Sequence, residues 1–206
     1  LGGTHRSIEN LTFKFRDQRK LGHWEHKGAS ALRMSGAVDS WVRNVQFVNA
    51  DHAFLLGTVD RISVINVLFN HTIDRLDVLE SQTRVGHIAI NMPGATQRVL
   101  YHNLEFKGNY FHDLDIGGGD YNVISNFTGV AVGLDHHAFG AEYNLYTNVD
   151  AGTGNSIESM GSSQNFETHW RVYGDGLVND VIDSNTSPNN HVFVGYDSGQ
   201  TEEITE

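Results

Sequence analysis

Eight short segments repeat one pattern around a central residue: IENLTF at Asn10, VRNVQF at Asn44, VINVLF at Asn66, YHNLEF at Asn103, ISNFTG at Asn126, YTNVDA at Asn148, ETHWRV at His169 and PNNHVF at Asn190. Their centres are 34, 22, 37, 23, 22, 21 and 21 residues apart. A repeat in the low twenties is too short to bury a core alone. It must stack on its neighbours, which is the sequence signature of a solenoid. The two long steps are one period plus an insertion. Leucines at fixed positions and a helix-forming half would mark a leucine-rich repeat, and neither is present. β-Branched and aromatic residues dominate the repeats, which favours strands.

The apolar positions change parity at the central residue. Two residues before it stand Ile8, Val42, Val64, Tyr101, Ile124 and Tyr146. One residue after it stand Leu11, Val45, Val67, Leu104, Phe127, Val149 and Trp170, and three after it Phe13, Phe47, Phe69 and Phe106. A straight strand keeps one face on one parity, so the chain must bend at the asparagine. Asparagine tolerates the left-handed backbone that such a bend requires, and stacked amides can hydrogen-bond from rung to rung.

These features predict an all-β fold: a parallel β-helix of about seven to eight coils with an asparagine ladder at its corners, in a single domain spanning 1–206. With these corner asparagines, the chain resembles the right-handed parallel β-helix proteins of the pectate-lyase superfamily. GAVDSWVRNVQFVNAD and LDHHAFGAEYNLYTNVDAGTG are further similar to a branch of uncharacterised secreted bacterial proteins of polygalacturonase- or pectate-lyase-like type. The resemblance implies a secreted or cell-surface protein with a polysaccharide substrate lying over an outward sheet. The full aspartate, Gly-His-Gly and Arg-x-Lys pattern of polygalacturonases is missing.

Residues 16–30 and 71–84 are charged insertions, expected to leave the stack as loops on the binding side. The second is also compatible with a short helix. Residues 197–206 are an acidic tail expected to fray. The chain opens on Leu1 with no evident cap for the first coil, so it reads as a fragment of a longer chain whose targeting segment lies upstream. The 206 residues carry a net charge of −11. The first 44 hold +4 and the rest −15, which argues against nucleic acid as a partner. No apolar run is long enough for a membrane span. The absence of cysteine excludes thiolate chemistry and disulfides.

Upstream of the corners lie AFLL (53–56), HIAI (87–90), HDLDI (112–116), GLDHH (133–137) and SIESM (156–160). The first is apolar and the next four carry acids and imidazoles. Alternation in HDLDI places Leu114 and Ile116 inward with His112, and Asp113 and Asp115 outward. GLDHH lies one rung along, about 5 Å away. The expected site is therefore an outward patch with Asp113, Asp115, Asp135 and His137 as catalytic residues. His87, His136, Glu158, Trp24 and Tyr110 are the expected substrate contacts. Crowded carboxylates and imidazoles provide the split pKa values that acid–base catalysis needs.

Asp113, Asp115 and Asp135 also offer oxygen ligands for Ca²⁺. A transition metal is disfavoured because His136 and His137, adjacent on a strand, point to opposite faces. Two carboxylates suit glycoside hydrolysis. Elimination would require a cation, and no Lys or Arg occurs between His112 and Met160. The expected function is a polysaccharide-degrading enzyme, a glycosidase before a lyase. A non-catalytic glycan-binding module, of adhesin or tailspike type, is the alternative.

Overall fold

The computed structural model describes residues 3–17, 29–72, 76–77, 82–137, 140–153, 156–160, 166–175, 178–179 and 192–195. Every element among them is a strand. In chain order these are β1 (Gly3–Thr4), β2 (Ser7–Lys14), β3 (Ser30–Ser35), β4 (Ala37–Val48), β5 (His52–Gly57) and β6 (Val59–Asn70). Then come β7 (Leu76–Asp77), β8 (Gln82–Thr83), β9 (Gly86–Met92), β10 (Thr96–Gln97), β11 (Leu100–Phe106), β12 (Tyr110–Ile116) and β13 (Val123–Gly129). The rest are β14 (Leu134–His137), β15 (Leu145–Thr153), β16 (Ser156–Met160), β17 (Thr168–Asp175), β18 (Val178–Asn179) and β19 (Val192–Val194).

The fold is all-β with two large parallel sheets. One holds ten strands in the order β1-β4-β6-β11-β13-β15-β17-β19, with β2 on β4 and β10 on β6. The other holds seven in the order β18-β16-β14-β12-β9-β5-β3. Pairing is parallel throughout both. From β3 onward the chain passes back and forth between the two sheets, adding each new strand beside the one laid down a period earlier. The insertion at 71–84 shows no helix among its described residues. Instead β7 and β8 pair antiparallel, Leu76 opposite Thr83.

The corners form as the parity switch requires. Asn10, Asn44, Asn66, Asn103, Asn126 and Asn148 all adopt φ between 51° and 61°. Their amides form a ladder along the stack. Asn44 Nδ2 donates to Asn10 Oδ1, Asn66 to Asn44 and Asn103 to Asn66, each at 3.0 Å. Asn148 donates to Asn126 at 3.4 Å. Inside the bend Phe13, Phe47, Phe69 and Phe106 stack with ring centroids 5.3, 5.4 and 4.5 Å apart. The first four of these corners thus carry a polar ladder outside and an aromatic ladder inside.

The last two corners differ from the sequence alignment. Thr147 and Val149 lie opposite Trp170 and Val172, which puts Arg171, not His169, opposite Asn148. Arg171 has φ 56°. Next along, Val194 lies opposite Trp170 and Gly195 takes the turn at φ 60°. Asn190 lies outside the described residues. His169 instead sits opposite Tyr146 in the interior, and Trp170 is exposed rather than core.

A second left-handed row runs through Asp39, Arg61, Arg98, Tyr121, Tyr143 and Phe166, with φ between 49° and 61°. It contains no asparagine. Arg61 bridges Asp39 and Asp60, and Arg98 bridges Asp60. Further along, the Tyr121, Tyr143 and Phe166 rings stack almost coplanar at 5.2 and 5.0 Å. The residues that follow face inward and form their own chain: Asn122 Oδ1 accepts from the Val99 amide, Asn144 Oδ1 from the Asn122 amide, and Glu167 Oε1 from Asn144 Nδ2.

Replacing Asn66 by valine forces a β-branched residue into the left-handed region and breaks two ladder bonds. The expected loss is about 1–3 kcal/mol, read in thermal unfolding as about 2–4 °C per kcal/mol. Asn66→Gly keeps the backbone freedom and should lose less. Equal melting temperatures for wild type and Asn66→Val would refute the corner's contribution.

Candidate functional site

Acids and imidazoles gather toward the N-terminal ends of four neighbouring strands in the seven-stranded sheet. His52 opens β5, His87 is second in β9, His112 third in β12 and Asp135 second in β14. His52 Nε2 and His87 Nδ1 are hydrogen-bonded at 3.0 Å. The His87 and His112 rings lie 5.5 Å apart, and His112 Nδ1 contacts Asp135 Oδ2. Asp115 stands directly opposite Asp135 on one side and Asn91 on the other, and its Oδ2 accepts from Asn91 Nδ2. Phe111 packs against both His87 and His112, with the Arg84 guanidinium 5.5 Å from its ring centre. An imidazole and carboxylate row therefore crosses four rungs.

This row is less exposed than the sequence implies. Asp113 is 2%, Asp135 3% and Asp115 9% exposed, so the expectation of a solvent-facing patch is corrected. Leu114 and Ile116 do occupy the core, as alternation requires. At the start of β12 the alternation fails. Phe111 and His112 are consecutive, yet both rings reach His87. His112, expected inward, belongs to the acid row through Asp135.

Asp113 leaves that row. Its Oδ1 accepts from the Tyr110 amide at 3.2 Å and its Oδ2 from the Gly133 amide at 3.0 Å. It ties the start of its own strand to the next rung. Burial pushes its carboxyl up to about 7, although the two amide bonds pull the other way. The raised value expected for a catalytic acid is present, but both oxygens serve backbone donors, which makes the side chain a structural clasp.

Tyr110 and His136 are also relocated. Tyr110 is buried edge-on against Phe69, in a space that exists because its register partner is Gly86. A Cβ there would come within 2.5 Å of the tyrosine ring. His136 is opposite Ile116 and fully buried, its Nε2 3.0 Å from Tyr146 Oη. It faces the core because its neighbour Asp135 faces the other way. His87 joins the cluster but is 1% exposed, not at the edge of an outward patch. His137 and Glu158 lie on β14 and β16, with Glu158 opposite Asp135. Trp24 lies outside the described residues.

The oxygens of Asp113, Asp115 and Asp135 are directed to backbone amides, Asn91 and His112 respectively, so they do not form a common Ca²⁺ ligand set. Among the described residues one group has three metal-ligating atoms all within 4.8 Å of one another: Asp51, His52 and His87. Sequence reasoning passed over Asp51 and His52. Their signal is the pair NADHAF beside RVGHIA, in which a histidine falls within the first two residues of each strand, but their proximity depends on a register spanning the 71–84 insertion.

A second polar cluster lies in the interior near β15 and β17. The Tyr146 and His169 rings stack at 4.7 Å, with His136 beside both. Glu167 is completely buried, and burial raises its carboxyl to about 8. No protein-family model, no curated protein and no solved structure matches this chain.

The raised carboxyls fix the sign of a pH effect. A buried acid with a folded pKa near 7 holds a proton that the unfolded chain, near 3.9, releases. Its contribution to stability is fully present below about pH 4 and is lost as pH rises to about 7. For Asp113 that loss is on the order of 4 kcal/mol. Asp113→Asn should therefore show a flatter fall in melting temperature between pH 4.5 and 7.5 than wild type, whatever its constant offset. Glu167→Gln should flatten the curve up to about pH 8. Parallel curves for wild type and both variants would contradict the burial of these acids.

Proposed function

We propose that the chain is a right-handed parallel β-helix of about seven to eight coils and a secreted or cell-surface polysaccharide-degrading enzyme of the glycoside-hydrolase kind. The solenoid reading is supported by parallel pairing throughout both large sheets, alternation of the chain between them, and two left-handed rows, five residues apart in the chain, whose members recur at the repeat spacing. Among the described residues no helix is long and apolar enough to cross a membrane.

The observation that carries the enzymatic reading is the contact of His112 Nδ1 with Asp135 Oδ2, with Asp115 in register beside Asp135. Glycoside hydrolysis takes two carboxylates with different protonation roles. Strands in register stand about 4.8 Å apart, so Asp115 and Asp135 present neighbouring carboxylates from adjacent rungs. The His112 contact sets Asp135 apart from Asp115, which is held by the neutral amide of Asn91. In this reading Asp115 and Asp135 act on the glycosidic bond, and His112 orients Asp135 and exchanges its proton. His87 lines the adjoining subsite, and half-exposed His52 and Asn91 mark the route to solvent.

A separate groove favours the glycan-binding alternative. It has a volume of about 580 Å³ and runs along the asparagine ladder, lined by Asn66, Asn103, Asn126, Asn148, Glu105 and the exposed ring of Tyr173. Amides and an aromatic ring are the groups that hold sugar hydroxyls and sugar faces.

Assays on a panel of neutral and uronic polysaccharides, for new reducing ends and for unsaturated products, separate the readings. The enzymatic reading expects turnover that falls about 10²–10⁴-fold in Asp115→Asn and in Asp135→Asn, with unchanged melting. Glycan retention without turnover, lost in Tyr173→Ala and kept in both aspartate variants, would replace it with the binding module.

A further inference from the structure

We infer that Asp51, His52 and His87 form a binding site for one divalent transition-metal cation of the zinc class. The inference stands apart from the glycan reading, because it concerns binding by three side chains whose geometry is already assembled. Their ligand atoms lie within 4.8 Å of one another. His52 Nε2 is 3.0 Å from His87 Nδ1 and 3.7 Å from Asp51 Oδ2. Bonds of about 2.0–2.1 Å to a tetrahedral ion set its ligand atoms about 3.4 Å apart. The two separations from His52 bracket that edge, and the third lies within 4.8 Å, so the set closes on one ion by small side-chain adjustment.

The scaffold holds the set in place. Asp51 Oδ1 accepts from the His87 amide at 3.1 Å, which orients the carboxylate with Oδ2 toward His52. The Asp51 carbonyl accepts from the His87 and Ile88 amides at 2.9 and 3.0 Å. These bonds lock the two rungs that carry the ligands, residues 51–52 and 87, into one register. Asp51 and His87 are each 1% exposed, whereas the His52 side chain is 34% exposed. Two ligands thus form a rigid buried wall and the third closes it from solvent, which provides an entry path.

The donor set selects the metal. Two imidazole nitrogens and one carboxylate suit Zn²⁺, Co²⁺ or Ni²⁺, whereas Ca²⁺ and Mg²⁺ require an oxygen-rich shell. Without a cation the two imidazole nitrogens share a proton as a hydrogen bond. A cation takes that proton's place, and the donor imidazole then carries its proton on its other ring nitrogen, staying neutral. Three protein ligands leave a fourth position for water, the pattern of open rather than closed zinc sites.

The test titrates the chelator-stripped chain with Zn²⁺ and with Co²⁺, following bound metal by equilibrium dialysis and elemental analysis. The expected result is one equivalent bound, visible Co²⁺ absorption of the intensity typical of a tetrahedral site, and a melting temperature that rises with added Zn²⁺. His52→Ala, at a half-exposed position, should melt like wild type without metal and bind at least tenfold more weakly. Asp51→Asn should weaken binding in the same direction. His102→Ala, a corner histidine hydrogen-bonded to Ser125, should bind as wild type does. The assignment is overturned by no saturable binding, by equal affinity in wild type and His52→Ala, or by tighter binding of Ca²⁺ than of Zn²⁺.

Discussion

The left-handed corner is the constraint on which the rest of this structure depends. A non-glycine residue at positive φ is strained unless something repays it. Here asparagine does so twice, by tolerating the conformation and by passing an amide hydrogen bond to the next coil. Because Asn44, Asn66, Asn103 and Asn148 each bond to the preceding corner, the bend cannot slide along the chain. A slip of one residue would turn every side chain to the opposite face. From Asn10 to Asn103 the phenylalanine stack under the bend fixes the same register by apolar contact, so polar and apolar ladders agree there.

That fixed register creates the candidate site. His52, His87, His112 and Asp135 are 35, 25 and 23 residues apart in sequence, with nothing local to join them. They meet because strands β5, β9, β12 and β14 are consecutive neighbours in one parallel sheet. The steps also absorb an insertion: β9 pairs with β5 as closely as β12 pairs with β9, and the β7–β8 pair stands outside both large sheets. Two histidines are thus brought together across the insertion.

The interior carries more polarity than a packed core between two parallel sheets needs. Glu167, His169, Tyr146 and His136 replace apolar residues within the last coils, and the Asn122–Asn144–Glu167 chain holds the second corner from inside. Each buried group lowers tolerance for error, because a polar atom deprived of its partner inside the protein costs more than the bond itself contributes. The aromatic and ion-pair ladders on the outside of that corner show that a left-handed row can be stabilised in several ways. At Asp39, Arg61 and Arg98 charge does it, and at Tyr121, Tyr143 and Phe166 ring stacking does.

The sequence by itself determined the repeat, the bend at Asn10 through Asn148, the inward Phe and Leu positions, and the grouping of acids and imidazoles in one family of strands. All of these are local: they follow from side-chain parity and from the few residues that accept positive φ. The second corner was legible in principle, in DYN, EYN and NFE, but tyrosine does not announce a left-handed backbone as asparagine does. Arg171 hid the seventh corner for the same reason. The tertiary structure alone decided which polar groups share a face. The broken alternation at Phe111–His112 moved His112 into the acid row, Asp113 turned onto backbone amides, and Asp135 and His136 divided between the two faces. Asp51 joined His52 and His87 only through a register spanning an insertion. Alternation gives a side chain one of two directions, but contact between distant rungs depends on where each strand begins, and that is set by pairing along the whole stack.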